Sequence, residues 1–366
     1  MKTPKIGQML HLRGNSLNKG EPVALPLTQS SMFHLPGSPE GHDTYGRVNN
    51  PTWEHLESLL AHLEDAPCLT FPSGMAAITA ALFATLAAGS RVLIPADGYY
   101  VTRLLSDRFL SKFGIIVEKR PTIAFTKGGF DGFDVVFVES PSNPGLDMID
   151  LASVAQQVRN AGGLTIADNT TMTPLGQRPL DLGVDVVISS DTKAVGGHSD
   201  LLMGHVACRN AQIMEQIEEW RRVSGSIPGP QEAWLLHRGL ETLDVRFNRM
   251  CETAQVLAER LSEHQAIRQI RYPGLPNDPS HALAGAQTAR FGFLLSITLG
   301  SEEQAERFIN TCPLLRPATS FGGVHSSAER RARWGDDVDP AFIRISVGCE
   351  PVEELWQAIE ASLNSS

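Results

Sequence analysis

Short apolar runs and stretches of helical spacing alternate through the central part of the chain. Six apolar runs do not alternate with polar residues: 91–94, 115–117, 135–138, 164–167, 186–188 and 205–208. Three of the intervening stretches repeat apolar residues at helical intervals: 75–88, 99–112 and 151–161. Because parallel strands that are covered on both faces are continuously apolar, this pattern predicts an α/β domain with a mostly parallel sheet.

The segments on either side of this region have other patterns. Residues 1–52 are rich in Pro, Gly, Asn and Ser without a helical period, which predicts an extended arm. Apolar residues at three- and four-residue spacing from Trp53 to Leu63 predict an amphipathic helix. From Glu232 to about His264 the pattern is helical almost without a breaker, which predicts a long connecting helix.

Beyond the connector, the remaining pattern predicts a second and smaller domain. Strand-like and helical stretches follow one another there: strands at 267–271, 291–298 and 342–347, and helices at 302–310 and 352–363. This mixture is typical of an α+β layer. The sequence therefore divides into three units: an extended arm (1–52), an α/β domain (53–235) and a C-terminal α+β domain (236–366).

Composition narrows the function classes. The 366 residues carry 31 Lys and Arg against 41 Asp and Glu, for a net charge of −10, without a long block of like charges. This acidic balance disfavours nucleic acid and anionic membranes as partners. Small-molecule chemistry is the expectation that remains.

The cysteines and the N-terminus bear on the compartment. Five cysteines are scattered along the chain without a Cys-x-x-Cys pair or metal-ligand spacing, which favours a reducing compartment and predicts no metal site. The N-terminal residues lack the apolar core of a signal peptide, and no apolar run approaches the roughly 20 residues that a membrane span needs. We therefore expect a cytoplasmic protein that binds no membrane.

Three predicted strands run directly into polar residues. Run 135–138 leads into Glu139, run 164–167 into Asp168, and run 186–188 into a segment that contains Lys193. Ligands of open α/β sheets bind beyond the carboxyl ends of the strands. A pyridoxal 5′-phosphate (PLP) enzyme needs a lysine that bonds to the cofactor and moves protons, and a carboxylate that keeps the ring nitrogen protonated. Asp168 and Lys193 together predict PLP as the cofactor, whereas each alone would fit a helix cap or a solvated loop.

The segment around Lys193 resembles the lysine motif of the Cys/Met-metabolism (trans-sulfuration) family of PLP-dependent enzymes. Further segments match that family in the same order along the chain: Tyr45-Gly46-Arg47, Ser73-Gly74-Met75, Tyr99 to Thr102, Glu139 to Pro144, Asp168-Asn169-Thr170, Tyr272 to Pro276, Ser320 to Gly323 and Ile343 to Glu350. The resemblance covers nearly the whole chain. It implies PLP fold type I, the aspartate aminotransferase-like fold, assembled as dimers that pair into a homotetramer.

The resemblance also implies which residues hold the cofactor. Ser73, Gly74 and Met75 open a predicted helix whose free N–H groups would bind the phosphate. Ser190 and Thr192 would add hydroxyl donors to the same phosphate. Ordinary helix capping and turn hydrogen bonds are the alternative for these residues.

In this family, other positions contact the cofactor ring or the cofactor phosphate of a neighbouring subunit. Tyr99 would stack on the cofactor ring and assist proton transfer, and Asn143 would hydrogen-bond the ring oxygen. Tyr45 and Arg47 would reach the phosphate of a neighbouring subunit. Their alternatives are a core aromatic for Tyr99, an Asn-Pro turn for Asn143, and a solvated loop for the pair in the arm.

The resemblance implies that Arg344 binds the substrate's carboxylate. Ser320, Asn143 and Tyr45 are the other substrate-binding residues that it implies. Arg344 lies in the predicted strand 342–347 between two isoleucines, so its guanidinium needs an anion once the strand packs. A bidentate grip on the carboxylate of an amino acid is the family's use of this arginine. A structural salt bridge is the alternative.

The implied reaction is cleavage of cystathionine at Cγ to cysteine, 2-oxobutanoate and ammonia. Run 325–335 resembles the bacterial cystathionine γ-lyase branch, and Val101 stands where methionine γ-lyases have a cysteine. Cystathionine β-lyase, cystathionine γ-synthase and O-acylhomoserine sulfhydrylase share every cofactor residue and stay open. A PLP-binding regulator without turnover is a more distant alternative. His325 and the segment 328–337 depart from the usual family pattern, and their roles are open.

Overall fold

Seven strands form the larger sheet of the protein, which a computed structural model describes over residues 5–365. The strands are β1 (Cys68–Phe71), β2 (Arg91–Pro95), β3 (Ile116–Arg120), β4 (Val135–Glu139), β5 (Leu164–Asp168), β6 (Val186–Ser189) and β7 (Gly204–Cys208). Their order across the sheet is β1-β7-β6-β5-β4-β2-β3. Strands β2 to β6 pair in parallel, while β7 is antiparallel to both β6 and β1. The predicted α/β architecture with a mostly parallel sheet is confirmed.

Both faces of this sheet are buried, as continuously apolar strands require. In β4, Val135 and Phe137 pack into one apolar cluster, and Val136 and Val138 pack into another on the opposite face. All four side chains are almost completely shielded from solvent. The sheet is therefore the middle of three layers, and only the strand ends are open to a ligand.

Twelve helices cover the sheets within residues 5–365. They are α1 (Ile6–His11), α2 (Pro51–Glu64), α3 (Gly74–Thr85), α4 (Tyr100–Arg108), α5 (Leu151–Asn160), α6 (Thr173–Gly176), α7 (Ala211–Ser224), α8 (Pro230–Leu240), α9 (Leu243–Ser262), α10 (His281–Gln287), α11 (Glu302–Thr311) and α12 (Val352–Asn364). None of the helices in this described range is long and apolar enough to cross a membrane.

A smaller sheet of five strands lies in the C-terminal part. It contains β8 (Gln269–Arg271), β9 (Leu294–Thr298), β10 (Arg316–Pro317), β11 (Ser327–Arg330) and β12 (Phe342–Ser346), in the order β10-β11-β12-β9-β8. Strand β12 is antiparallel to both β9 and β11. An apolar cluster that includes residues of α9, α11 and α12 packs on this sheet.

The predicted connector from Glu232 to about His264 is two helices. Helix α8 ends at Leu240 and α9 begins at Leu243, and the Arg246 side chain donates to the carbonyls of Gly239, Ala194 and Val195. A Cβ at Gly239 would lie 2.6 Å from the carbonyl oxygen of Gly196. Gly239 therefore packs directly on another segment of the chain near the end of α8, and a local helical pattern does not contain that information.

Helix α9 joins the two cores. Its first half, which includes Leu243 and Phe247, packs with the cluster of the larger sheet, and its second half, which includes Leu257 and Leu261, packs with that of the smaller sheet. A single rigid helix therefore sets how the two sheets are positioned around the site between them.

The N-terminal arm is not extended throughout. Helix α1 and a 3-10 turn at Gly14–Ser16 lie within it, and Met9 is buried in the larger core. Further along, the indole N–H of Trp234 donates to the Leu25 carbonyl at 2.8 Å. The arm is thus attached to α8 and to the core by docking, as a segment without its own core must be.

Candidate active site

Three adjacent strands of the larger sheet end in the residues that carry chemistry. Glu139 ends β4 and pairs in register with Asp168, which ends β5. Strand β6 leads into the loop that holds Lys193. Because parallel strands share their carboxyl edge, these side chains come to one place at the edge of the sheet. We call the cavity there the inner cavity.

The inner cavity brings together nine of the residues that the sequence predicts. They are Ser73, Gly74, Met75, Tyr99, Asn143, Asp168, Ser190, Thr192 and Lys193. A second space, the outer cavity, adjoins it and shares Tyr99, Asn143, Lys193 and Phe321. Ser320 and Arg344, the predicted substrate ligands, line the outer cavity.

One end of the inner cavity is suited to a phosphate. The Ser73 hydroxyl accepts from the Ala76 N–H at 3.0 Å and caps α3, so the first turn of that helix opens on the cavity. A Cβ at Gly74 would lie 2.6 Å from the Cβ of Ser190, so only glycine allows the helix to approach the lysine loop. The Thr192 hydroxyl accepts from the Met203 N–H at 3.1 Å, which fixes the loop on its other side.

A buried group of charged side chains holds the loop that contains Lys193. His205 is fully buried, and its Nδ1 lies 2.8 Å from a carboxylate oxygen of Asp191, while its Nε2 lies 3.2 Å from Glu64. Burial alone would lower the pKa of His205, but the two carboxylates raise it to about 10. The histidine is therefore charged and fixes Asp191, two residues before Lys193. His198 supports the same loop, since its Nδ1 lies 2.8 Å from the Gly196 carbonyl.

The Lys193 amine lies between the two cavities. Its Nζ donates to the Ser320 hydroxyl at 3.1 Å and lies 5.3 Å from the centre of the Phe321 ring. Burial, together with the positive charge of Arg344, lowers the pKa of Lys193 to about 8. Near neutral pH, a larger fraction of this amine than of an ordinary lysine is therefore neutral, and the neutral form is the one that attacks an aldehyde and accepts a proton.

Asp168 lines the inner cavity at the carboxyl end of β5. Its side chain accepts from the Thr170 N–H at 2.9 Å, and burial raises its pKa. Within residues 5–365 it forms no salt bridge. A buried carboxylate without a cationic partner is suited to a cationic ligand, and the protonated ring nitrogen of PLP is such a group. The donor set of the cavity therefore fits PLP.

Glu139 has a positioning role that the sequence did not reveal. Its carboxyl group accepts from the Tyr99 N–H at 2.8 Å, which fixes the start of α4. Burial and the neighbouring Asp168 raise the pKa of Glu139 well above its usual range. The Tyr99 ring meets the Tyr100 ring edge to face, with centroids 5.4 Å apart. The sequence feature that pointed to Glu139 was its position at the end of a predicted strand, like that of Asp168.

Arg344 forms the buried wall of the outer cavity. Its guanidinium donates to Asn143 Oδ1 at 2.7 Å, to the Thr319 carbonyl at 2.9 Å and to Glu329 at 3.1 Å. Glu329 lies directly opposite Arg344 in the antiparallel pairing of β11 with β12. A salt bridge is thus present, as the alternative interpretation held, but the residue also faces the cavity beside Lys193.

Tyr45 and Arg47 do not reach Lys193 within the same chain. They line a separate cavity between the arm and residues 227–232, where Arg47 donates to the Arg222 carbonyl at 2.6 Å. The guanidinium carbon lies 5.7 Å from the centre of the Tyr45 ring. Their role toward a neighbouring subunit stays a prediction.

Several further residues line the cavities without having been singled out from the sequence, among them Thr170, Phe321, Arg331 and Trp334. Thr170 and Phe321 lie inside motifs that were recognised, whereas Arg331 and Trp334 lie in the segment that departs from the family pattern. The signals for the last two were this departure and the branch resemblance of run 325–335, and neither indicated which side chains reach the cavities.

Comparison with known proteins places this site among sulfur amino-acid enzymes. The family model described as Cys/Met metabolism PLP-dependent enzyme matches residues 8–364. A protein of Streptomyces coelicolor named "Putative cystathionine gamma-lyase" is 46% identical over 92% of this chain and 88% of its own length. Cystathionine β-lyase MetC of Bacillus subtilis is 35% identical over 93% and 91%. The crystal structure of cystathionine γ-synthase from Xanthomonas oryzae pv. oryzae superposes with a TM-score of 0.92 at 30% identity, covering 100% of this chain and 98% of that one.

Proposed function

We propose that this chain, which belongs to the Cys/Met metabolism family of PLP-dependent enzymes, is a carbon–sulfur lyase that cleaves cystathionine at Cγ to cysteine, 2-oxobutanoate and ammonia. The family and PLP fold type I were both predicted from the motifs, and both predictions are confirmed. PLP is the cofactor of the family. The 46% identity to the Streptomyces protein is the observation that supports cleavage at Cγ.

The residues of the inner cavity have separate tasks in this proposal. When bound, PLP would supply an electron-withdrawing ring that lets a proton leave the substrate's Cα and a second proton leave Cβ, so that a double bond forms between Cβ and Cγ as the thiol leaves Cγ. Lys193 accepts and returns protons at Nζ, for which its lowered pKa is suited. The carboxylate of Asp168 would keep the ring nitrogen protonated, and the ring of Tyr99 would stack on the cofactor. The start of α3 and the hydroxyls of the lysine loop would hold the phosphate.

The outer cavity orients the substrate. Arg344 binds the α-carboxylate, and Asn143 holds the guanidinium in place through the 2.7 Å hydrogen bond. The Ser320 hydroxyl, 3.1 Å from Nζ, keeps the lysine amine near the substrate's Cα. Binding the α-carboxylate at a fixed point sets which bond the electron-withdrawing ring weakens.

Identifying the keto acid tests the proposed reaction. With L-cystathionine as the only substrate, we expect 2-oxobutanoate as the main product, measured by chromatography of the derivatised keto acids. A second candidate is β-cleavage, favoured by the 35% identity to the Bacillus β-lyase, and it would give pyruvate. A product pool that is mainly pyruvate would contradict the Cγ assignment while leaving the lyase assignment intact. The enzyme with Lys193 replaced by alanine supplies the background.

We further propose that the working assembly is a cytoplasmic homotetramer of two dimers, in which each site uses Tyr45 and Arg47 of a neighbouring subunit. In this case a Lys193→Ala chain and an Arg47→Ala chain complement one another. One site of a mixed dimer has both defects, and the other has an intact Lys193 and an intact Arg47. We expect mixing of the two inactive variants, with subunit exchange, to restore activity to at most about a quarter of the wild-type level.

The control for this experiment is the exchange itself. Mixed species are counted by native mass spectrometry of the two variants, one of which carries an affinity tag. If mixed dimers form and no activity returns, Arg47 serves its own subunit and the composite site is wrong.

A further inference from the structure

Arg331 and Arg344, which line the outer cavity, belong to a cluster of paired charges, of which the proposed reaction uses only Arg344. Its guanidiniums belong to Arg103, Arg331, Arg333 and Arg344, and its carboxylates belong to Glu329 and Asp336. The carboxylates are almost completely buried in the protein. Within the described residues, the cluster therefore has four positive charges and two negative ones.

This local excess of positive charge contrasts with the chain as a whole, which has a net charge of −10. One anion of the substrate, its α-carboxylate on Arg344, leaves the cluster with one more positive charge than negative. Burial and, second to it, the charge of Arg331 lower the pKa of Arg344 to about 10. A cavity with such a wall attracts a ligand that carries two carboxylates more strongly than a ligand that carries one.

Arg331 is the member of the cluster that is placed to meet the second carboxylate. It lines the outer cavity together with Lys193 and Arg344. Three of its five N–H donors are used, by Glu329 at 2.8 Å and by Asp336 at 2.8 and 2.6 Å, so two are left for a ligand. The same contacts hold the guanidinium rigidly, so little freedom is lost when an anion binds.

The neighbours of Arg331 hold it at the cavity. Asp336 also accepts from Arg103 of α4 at 3.5 Å, which links the segment to the helix that follows Tyr99. The indole N–H of Trp334 donates to Glu329 at 2.5 Å, and Trp334 lines the same cavity. Both Arg331 and Arg344 contact one oxygen of Glu329, so their donor nitrogens lie within about 6 Å of each other.

We propose that Arg331 binds a second carboxylate of the substrate, at the end of the molecule remote from the reacting Cα. The enzyme then selects thioether amino acids that carry a carboxylate at both ends. This inference rests on the proposed function as a carbon–sulfur lyase and assigns a role to the segment 328–337.

The test compares two substrates that differ only in that carboxylate. L-Cystathionine has it, whereas S-(2-aminoethyl)-L-homocysteine keeps the thioether and the remote amine without it. We expect Arg331→Gln in the holoenzyme to lower kcat/KM for cystathionine by about 10- to 100-fold, because one charged hydrogen-bonded contact is lost. The value for the analogue is expected to stay nearly unchanged. The loss should be mainly in KM, since the contact is made equally before and during the reaction.

Arg333→Gln is the matched control. It removes a guanidinium from the same carboxylate, 3.2 Å from Glu329, but its side chain is 37% exposed and it is not among the residues that line the cavity. We expect it to affect both substrates equally. Arg331→Lys retains the charge without the planar fork and should recover part of the preference for cystathionine. It also replaces Arg331→Gln in the comparison if that variant does not fold.

The possible outcomes distinguish a failure of the proposed carboxylate subsite from a failure of the proposed reaction. Equal losses for the two substrates with Arg331→Gln would overturn the subsite and leave the proposed reaction standing. Pyruvate as the product would overturn Cγ cleavage instead, and the comparison is then made with S-(3-aminopropyl)-L-cysteine in place of the homocysteine analogue. If neither substrate is turned over, the two binding affinities measured by calorimetry give the same ratio, and a ratio unaffected by Arg331→Gln again contradicts the subsite.

Discussion

Replacing Lys193 with alanine is expected to lower turnover of cystathionine by at least about 10⁴-fold. In the proposed function, the amine is both the point of covalent attachment of the cofactor and the group that moves the proton, so one substitution would remove two functions. The fold should be unchanged, because the polar contact of this side chain is the hydrogen bond to Ser320. The loop itself is held by backbone hydrogen bonds, among them Gly197 N–H to the Lys193 carbonyl at 2.8 Å, which alanine retains.

Keto acid release and the visible absorbance of the lysine-bound cofactor are the two measurements. Lys127→Ala is the matched control, because Lys127 is exposed and lies at the end of a 3-10 turn away from both cavities. It should retain activity and spectrum. Turnover by Lys193→Ala within tenfold of the wild type, or an unchanged spectrum, would mean that another amine carries the chemistry.

The position of Lys193 and Asp168 could be predicted from the sequence because both follow apolar strands. Parallel strands that are buried on both faces have a recognisable composition, and their carboxyl ends meet at one edge whatever the details of packing. The prediction therefore needed only the existence of β5 and β6, and not their exact bounds.

The contacts of Arg344 could not be predicted in the same way. Its pairing with Glu329 depends on the register of β11 against β12, which are antiparallel neighbours separated by a loop. A run of apolar residues does not specify a partner strand or its register. The sequence could show that the guanidinium needs an anion, but not that a protein carboxylate supplies part of that need.

Two further features depended on tertiary contacts. Helix α8 ends next to Gly239, which packs on the Gly196 carbonyl, and local helical periodicity does not report such a contact. Strand β1 (Cys68–Phe71) was not singled out from the sequence, and its pairing partner β7 lies far away in the chain. In both cases the contact is with a distant segment.

Replacing Asp168 with asparagine is expected to lower kcat by about 10²- to 10⁴-fold while leaving the fold intact. The amide has nearly the shape of the carboxyl group and still accepts the N–H of Thr170, but it has no charge to keep the ring nitrogen protonated. Electron withdrawal from the substrate is then weaker, although the cofactor is still attached to Lys193. Rates are measured as keto acid release at saturating cystathionine, and Asp168→Ala should be at least as slow.

The thermal stability of the cofactor-free protein distinguishes this role from a structural one. Burial raises the pKa of Asp168, so ionisation of the carboxyl group costs more in the folded state than in the unfolded state. The destabilisation is absent below the unfolded-state pKa and grows as the pH rises through the folded-state pKa. At neutral pH, cofactor-free Asp168→Asn should therefore melt at the same temperature as the wild type or higher, despite its low activity. A lower melting temperature together with near-normal kcat would show that the carboxylate supports the fold and that the ring nitrogen has another partner.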